Sequence, residues 1–408
     1  MSGAQPYVPR SGRKVETEER FRPSYKAQLR VWWREIDRVL LALIAGLIAI
    51  GIAAVAAASP ASADRLSTSD VTLPPLYFYW AHLRWLVVGL TVMIGASFLS
   101  RDNARRLAII LGAGMIAALV LVPLIGVEIN GARRWLRIGM QFQPSEFLKP
   151  AFAISLAWIL SWRLRDPNLP VLGIVTGVMA LVAALLMLQP NLGATILFAG
   201  VWFVLILLSG IPVQRIGMLA AGGIALLTAT YLLYDNARHR IDSFFAGGTA
   251  YDQVDLAEKT LLSGGWFGTG FWLGLKKMKL PEAHTDYIFS VIGEEFGLII
   301  CALVVLLYLA IIARVLVRLV NEDDLFATLA TAGLVTQITG QAFINILVNL
   351  QLFPSKGMTL PLVSYGGSST IAVCLAAGLL LAITRRNPFL TRESDGLGAL
   401  VAKRRLRA

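Results

Sequence analysis

Ten apolar stretches run along this chain, each close to the roughly 20 residues that a helix needs to cross the hydrocarbon of a bilayer. They fall near 38–58, 80–99, 105–126, 147–163, 170–189, 193–211, 215–234, 287–316, 325–350 and 368–384. The expected fold class is an all-α integral membrane protein of about ten transmembrane helices. Composition agrees, because 56% hydrophobic and 15% charged residues over 408 positions is more apolar than a soluble globular chain. The net charge of +12 is scattered between apolar runs, so it reads as an orientation signal and not as a nucleic-acid surface. Cys301 and Cys374 both lie inside apolar runs, which argues for inert thiols and against a disulfide framework. The first 35 residues are polar and the first apolar run is long enough to span, so no cleavable signal peptide is expected.

Charge sets the orientation. Residues 1–35 carry Arg10, Arg13, Lys14, Arg20, Arg22, Lys26, Arg30 and Arg34 and end near the aromatic pair Trp32-Trp33, as a flexible tail anchored at an interface would. Arg101, Arg105, Arg106, Arg163, Arg165, Arg215, Arg314, Arg318, Arg385 and Arg386 all fall in short loops on that tail's side. Basic short loops stay cytoplasmic, so both termini are expected there, with a membrane domain over 36–388 and a basic tail over 389–408. Two outer loops oppose this trend. One holds Arg133, Arg134 and Arg137, and the other, 235–286 between spans seven and eight, holds Arg238, Arg240, Lys259, Lys276, Lys277 and Lys279. Cations placed there against the insertion rule are expected to meet an anion such as a phosphate-bearing lipid head group. The long loop also contains the run 264–270, rich in Gly and aromatics, and reads as a structured lid on the outer face with amphipathic helix around 252–263.

Four clusters carry candidate chemistry. Glu146 and Lys149 share a helix face at i,i+3 at the start of span four, either as a structural ion pair or as substrate contacts. His284 and Asp286 end the long loop, and Glu294 and Glu295 follow within span eight. Asp286 and Glu294 are about two helical turns apart and are expected to look into one cavity, while Glu295 points elsewhere. Acidic groups there invite a general base, a divalent cation site or a proton relay. His284 alone reads as a hydrogen-bonding residue. The QPNLGAT run at 189–195 marks a tight turn, and Lys356 through Ser364, Gly366, Gly367 and Ser368 suits broken helix lining a polar cavity.

Taken together, the motifs GARRW, QPSEFLK, QPNLGAT, LPEAHTDYIFSVIGEEFG and KGMTLPLVSYGGSS resemble the SEDS (shape, elongation, division and sporulation) family of bacterial peptidoglycan polymerases, over Asp37 to Pro388. EAHTD and the lysine of KGMTLP look closer to the family's division member than to its elongation member. The resemblance implies ten spans in the bacterial inner membrane and processive polymerisation of lipid II into β-1,4 glycan, with release of undecaprenyl diphosphate. It implies that Asp286 matches an essential outer-face aspartate, acting as base or as ligand of Mg or Mn, and that Lys149 matches a functionally important lysine. Lys149 with Arg133, Arg134 or Arg240 is expected to hold the diphosphate. Expected partners are a class B penicillin-binding protein and other membrane proteins of the division machinery. Two departures stand out: Gln141 where a basic residue is often found, and Asn191 where aspartate is commoner. A lipid II flippase and a non-catalytic scaffold are the competing readings.

Overall fold

The computed structural model describes residues 25–68, 70–129, 132–164, 166, 168–233, 238, 242, 253–320, 322–353 and 357–386. The chain divides into two compact units, Ile36–Arg385 and a second made of the two terminal segments, in which α1 (Tyr25–Glu35) is an amphipathic helix. The larger unit begins with α2 (Arg38–Leu66), α3 (Tyr77–Ser97) and α4 (Arg101–Ile125). Next come α5 (Pro144–Ser161), α6 (Val171–Met187), α7 (Leu192–Leu208) and α8 (Val213–Leu233). A shorter α9 (Gln253–Ser263) precedes α10 (Ile288–Leu319), α11 (Leu325–Asn349) and α12 (Gly367–Ile383). Each of the ten apolar stretches falls on one of these helices. Six of them, α2 to α5, α10 and α11, are long and apolar enough to cross a membrane by length and composition, while α6, α7 and α12 are shorter apolar helices.

Helix starts follow local capping chemistry. Ser100, Asn191 and Asp324 accept amide hydrogens from the first turns of α4, α7 and α11. Asp37 does the same for α2 and also takes Arg314 at 2.9 Å and Arg318 at 2.7 Å, which ties the start of α2 to the end of α10. Burial pushes the Asp37 carboxyl up, but hydrogen bonds from Arg314, Leu40 and Arg318 outweigh it and leave it below the ordinary aspartate value. Of the six long apolar helices, α11 is the most buried. It carries Gln337, Gln341, Asn345 and Asn349 at four-residue intervals, so one buried stripe of amides runs along an otherwise apolar helix.

The segment before α5 forms a small antiparallel sheet. Its strands β1 (Val127–Ile129), β2 (Ala132–Ile138) and β3 (Met140–Phe142) are ordered β1-β2-β3, with Arg133 opposite Glu128 and Arg137 opposite Gln141. Neighbouring strand residues point to opposite faces, so Arg133 and Arg134 part company. The helix expected around 252–263 is α9.

Candidate functional site

One cavity of about 660 Å³ opens where the sheet, the starts of α5 and α12 and the turn before α10 converge. Its charged lining is Arg65 from the end of α2, Arg134 from β2, Glu146 from α5, and Glu282 and Asp286 from the turn. Asp286 is held there through the backbone. Tyr365 N donates to His284 O, Ser364 Oγ donates to Thr285 O at 2.6 Å, and Asn345 and Asn349 donate to Asp286 O at 2.7 and 3.2 Å. Three successive carbonyl oxygens are thus fixed from α11 and the 360–365 segment, and the half-buried carboxylate is left facing the cavity. Gly357 lies alongside, and a Cβ there would stand 3.4 Å from Asp286 Oδ2 and 4.0 Å from Arg134 Nη1. Burial raises the Asp286 carboxyl to about 7, helped by the charges of Glu282 and Glu146 and opposed by Arg134.

Arg134 turns inward, with Nε donating to Gln189 O at 3.1 Å and Nη2 to Pro190 O. The QPNLGAT turn therefore does more than reverse the chain, since its carbonyls orient the guanidinium. Arg133 faces outward and pairs with Glu128, and Arg137 is exposed on β2. His284 is buried against Phe78 and Tyr365, with ring centroids 4.2 and 5.2 Å away, and burial lowers it to about 4, so its imidazole is neutral at pH 7. Ser368 is on the cavity wall, where it accepts from Gln143 N, whereas Ser364 serves the backbone bracing. Arg240 and Lys356 lie outside the described residues.

Two expectations need correcting. Lys149 does not reach the cavity. It is buried behind Glu146, pairing with that carboxylate at 2.6 Å and with Gln341 Oε1 at 2.8 Å, and Glu146 forms the wall. Nor does Glu294 share the Asp286 cavity. Helical spacing does not connect the two, because α10 begins only at Ile288 and Asp286 belongs to the preceding turn. Glu294 accepts the amides of Lys276 and Lys277 at 2.7 and 2.8 Å, while Glu295 pairs with buried Lys277 and accepts from Trp272 N and Gly274 N. These two glutamates clasp the 272–277 segment to α10.

The residues that sequence reasoning missed are Arg65, Gln341, Asn345 and Asn349. The signal for the amides was present as i,i+4 spacing in an apolar run, where each polar group needs a partner. Arg65 gave none beyond a charge at a helix end. Among the described residues no three His, Cys, Asp or Glu side chains gather as a metal-ligand set. A divalent cation taking Asp286 would therefore need phosphate oxygens and water for its remaining ligands.

This architecture has known counterparts. A curated relative from Caulobacter vibrioides, named probable peptidoglycan glycosyltransferase FtsW, is 35% identical over 89% of this chain and 93% of its own length. Another of that name, from Aromatoleum aromaticum, is 34% identical over 86% of this chain and 88% of its own. A solved chain described under structural coordination of polymerization and crosslinking by a peptidoglycan synthase complex superposes with TM-score 0.69 at 29% identity, covering 86% of this chain and 98% of that one. The crystal structure of Thermus thermophilus rod shape determining protein RodA superposes at 0.63 and 28%, covering 86% and 97%. A family model described as a cell cycle protein, FTSW_RODA_SPOVE, matches residues 37–388, and with that match the chain belongs to the FtsW/RodA/SpoVE family.

Proposed function

We propose that the chain is a peptidoglycan glycosyltransferase that polymerises lipid II into β-1,4 glycan during cell division. The observation that carries this reading is the cavity itself, which sets one carboxylate raised to about 7 beside the guanidinium of Arg134, with Arg65 also among its lining residues. Polymerisation asks for that pair. Asp286 takes the proton from the acceptor's GlcNAc 4-hydroxyl as its oxygen bonds to C1 of the donor MurNAc. The C1–O bond to the diphosphate breaks on the opposite face, with inversion from α to β. Arg134 and Arg65 receive the charge that develops on the leaving undecaprenyl diphosphate. A base with pKa near the working pH suits the first role. Glu146, oriented by Lys149, completes the wall and supports substrate placement. Lys149 thus serves the site through Glu146.

The reading includes ten spans, cytoplasmic termini and the cavity on the outer face, supported by the one-sided basic short loops. It also includes a class B penicillin-binding protein and other division proteins as partners, supported by the match to a chain of a peptidoglycan synthase complex. The test is purified protein given lipid II in detergent. Glycan polymer is the expected product. A flippase needs a bilayer and a scaffold makes nothing, so absence of polymer from folded protein would contradict the reading.

A further inference from the structure

The loop that follows α9 reaches deeper along the bundle than a lid on the outer face would. Two helices measure its height from one charged anchor, the Asp37–Arg314–Arg318 cluster. Along α10, Gly297 lies 17 residues before Arg314, about 25 Å at the α-helical rise of 1.5 Å per residue. Along α2, Ala56 lies 19 residues after Asp37, about 28 Å by the same rise. The loop meets both marks. Trp272 Nε1 donates to Ala56 O at 3.0 Å, and Trp266 O accepts from Ile299 N at 3.3 Å. The hydrocarbon of a bilayer is about 30 Å thick, so a charged cluster at one boundary puts this level close to the other.

The backbone is built for that seat. Gly297 breaks α10 at φ +83°, and Thr269 and Gly270 donate to the carbonyls of Glu294 and Glu295, while Leu298 N donates to Gly265 O. A Cβ at Gly264, Gly268 or Gly297 would lie 2.0–2.3 Å from a backbone oxygen, so only glycine allows the approach. Above the break, α10 is buried from Ile288 to Glu295. Below it, Ile299, Leu303, Leu306 and Leu309 face outward. At the break itself Trp266 (70% exposed), Phe267 (83%), Leu273 and Leu275 are exposed, Phe271 and Trp272 are half exposed while resting on Phe296 and Ala56, and the exposed Lys276 and Lys279 follow directly. Aromatic residues with lysines beside them are the side chains that settle at a lipid–water boundary.

We propose that the 264–279 segment is a lipid anchor, with its aromatic side chains lodged between head groups and acyl chains of the outer leaflet. It fixes the height of the Asp286 turn, which the chain reaches seven residues later, against the membrane surface where a lipid-linked diphosphate is presented. The anchor rests on the membrane placement of α2 and α10 and is independent of the glycosyl-transfer reading. The experiment places a nitroxide at Phe267→Cys or, for comparison, at Lys259→Cys, in full-length protein in phosphatidylglycerol-containing vesicles. Labelling is selective because Cys301 and Cys374 are buried. Relaxation by oxygen is compared with relaxation by a water-soluble nickel chelate. The expected result is a 267 label that collides with oxygen at a depth of about 5–10 Å, with the 259 label in water. A 267 label as open to the chelate as the 259 label would overturn the proposal. So would a 267 label shielded from both, which would mean that protein covers the patch. The measurement reads no activity, so failure of the anchor and failure of the proposed function are distinguishable.

Discussion

Asp286 shows how far a single residue could be read from its neighbours in sequence. Its place at the junction of the long loop and α10 was legible, but its orientation was not, because that is set by Asn345, Asn349 and Ser364 from distant parts of the chain. Lys149 shows the converse. Its i,i+3 partner was legible and its burial behind Glu146 was not, because burial depends on Gln341. The bracing makes a prediction: Asn345→Ala should lower polymerisation about 10–100-fold by letting Asp286 move, and it should add little to the loss already caused by Asp286→Asn. Additive losses, measured as rates of the two single variants and the double, would show that Asn345 does not act through Asp286. Proton linkage gives another. The folded carboxyl lies at about 7 against an ordinary 3.8, so the folded state binds more protons than the unfolded one between these values. Stability contributed by the protonated form is present below 3.8 and lost as pH rises through 7. Asp286→Asn should therefore melt no lower than wild type at pH 8, with the difference shrinking toward pH 4.

At the scale of elements, the apolar helices were legible because a helix in hydrocarbon has to satisfy its own backbone, which writes long apolar runs into the sequence. The sheet was not, because three strands of three to seven residues carry too short an alternation to stand out. Nor was the break at Gly297, since a glycine in an apolar helical run looks ordinary until a second backbone is packed on it. The clasp of Glu294, Glu295 and Lys277 is testable at this scale. Lys277→Met would leave Glu295 buried without its cation and should cost about 3–5 kcal/mol of stability, whereas Lys276→Met, whose side chain is exposed, should cost far less. Gly297→Ala should also destabilise, by at least about 1–3 kcal/mol from the backbone conformation alone. Thermal unfolding of the three purified variants in one detergent checks the order.

Across the whole molecule, function depends on which way the bundle faces and on what the Asp286 cavity does there. Cysteines at the exposed positions Lys259 and Asn103 should label oppositely with an impermeant reagent, Lys259→Cys in intact cells and Asn103→Cys only after permeabilisation. The reverse pattern would put the cavity on the wrong side for a lipid-linked donor displayed outside. The central claim is that the carboxylate of Asp286 is the base of glycan polymerisation, and a pH–rate profile of purified wild type and Asp286→Asn on lipid II reaches it most directly. Wild-type rate should rise with pH through a midpoint near 7 as the carboxylate forms. The asparagine variant, folded and as stable, should run at least about 10²-fold slower with that rise gone. A variant that polymerises near the wild-type rate with the same pH dependence would remove Asp286 from the chemistry.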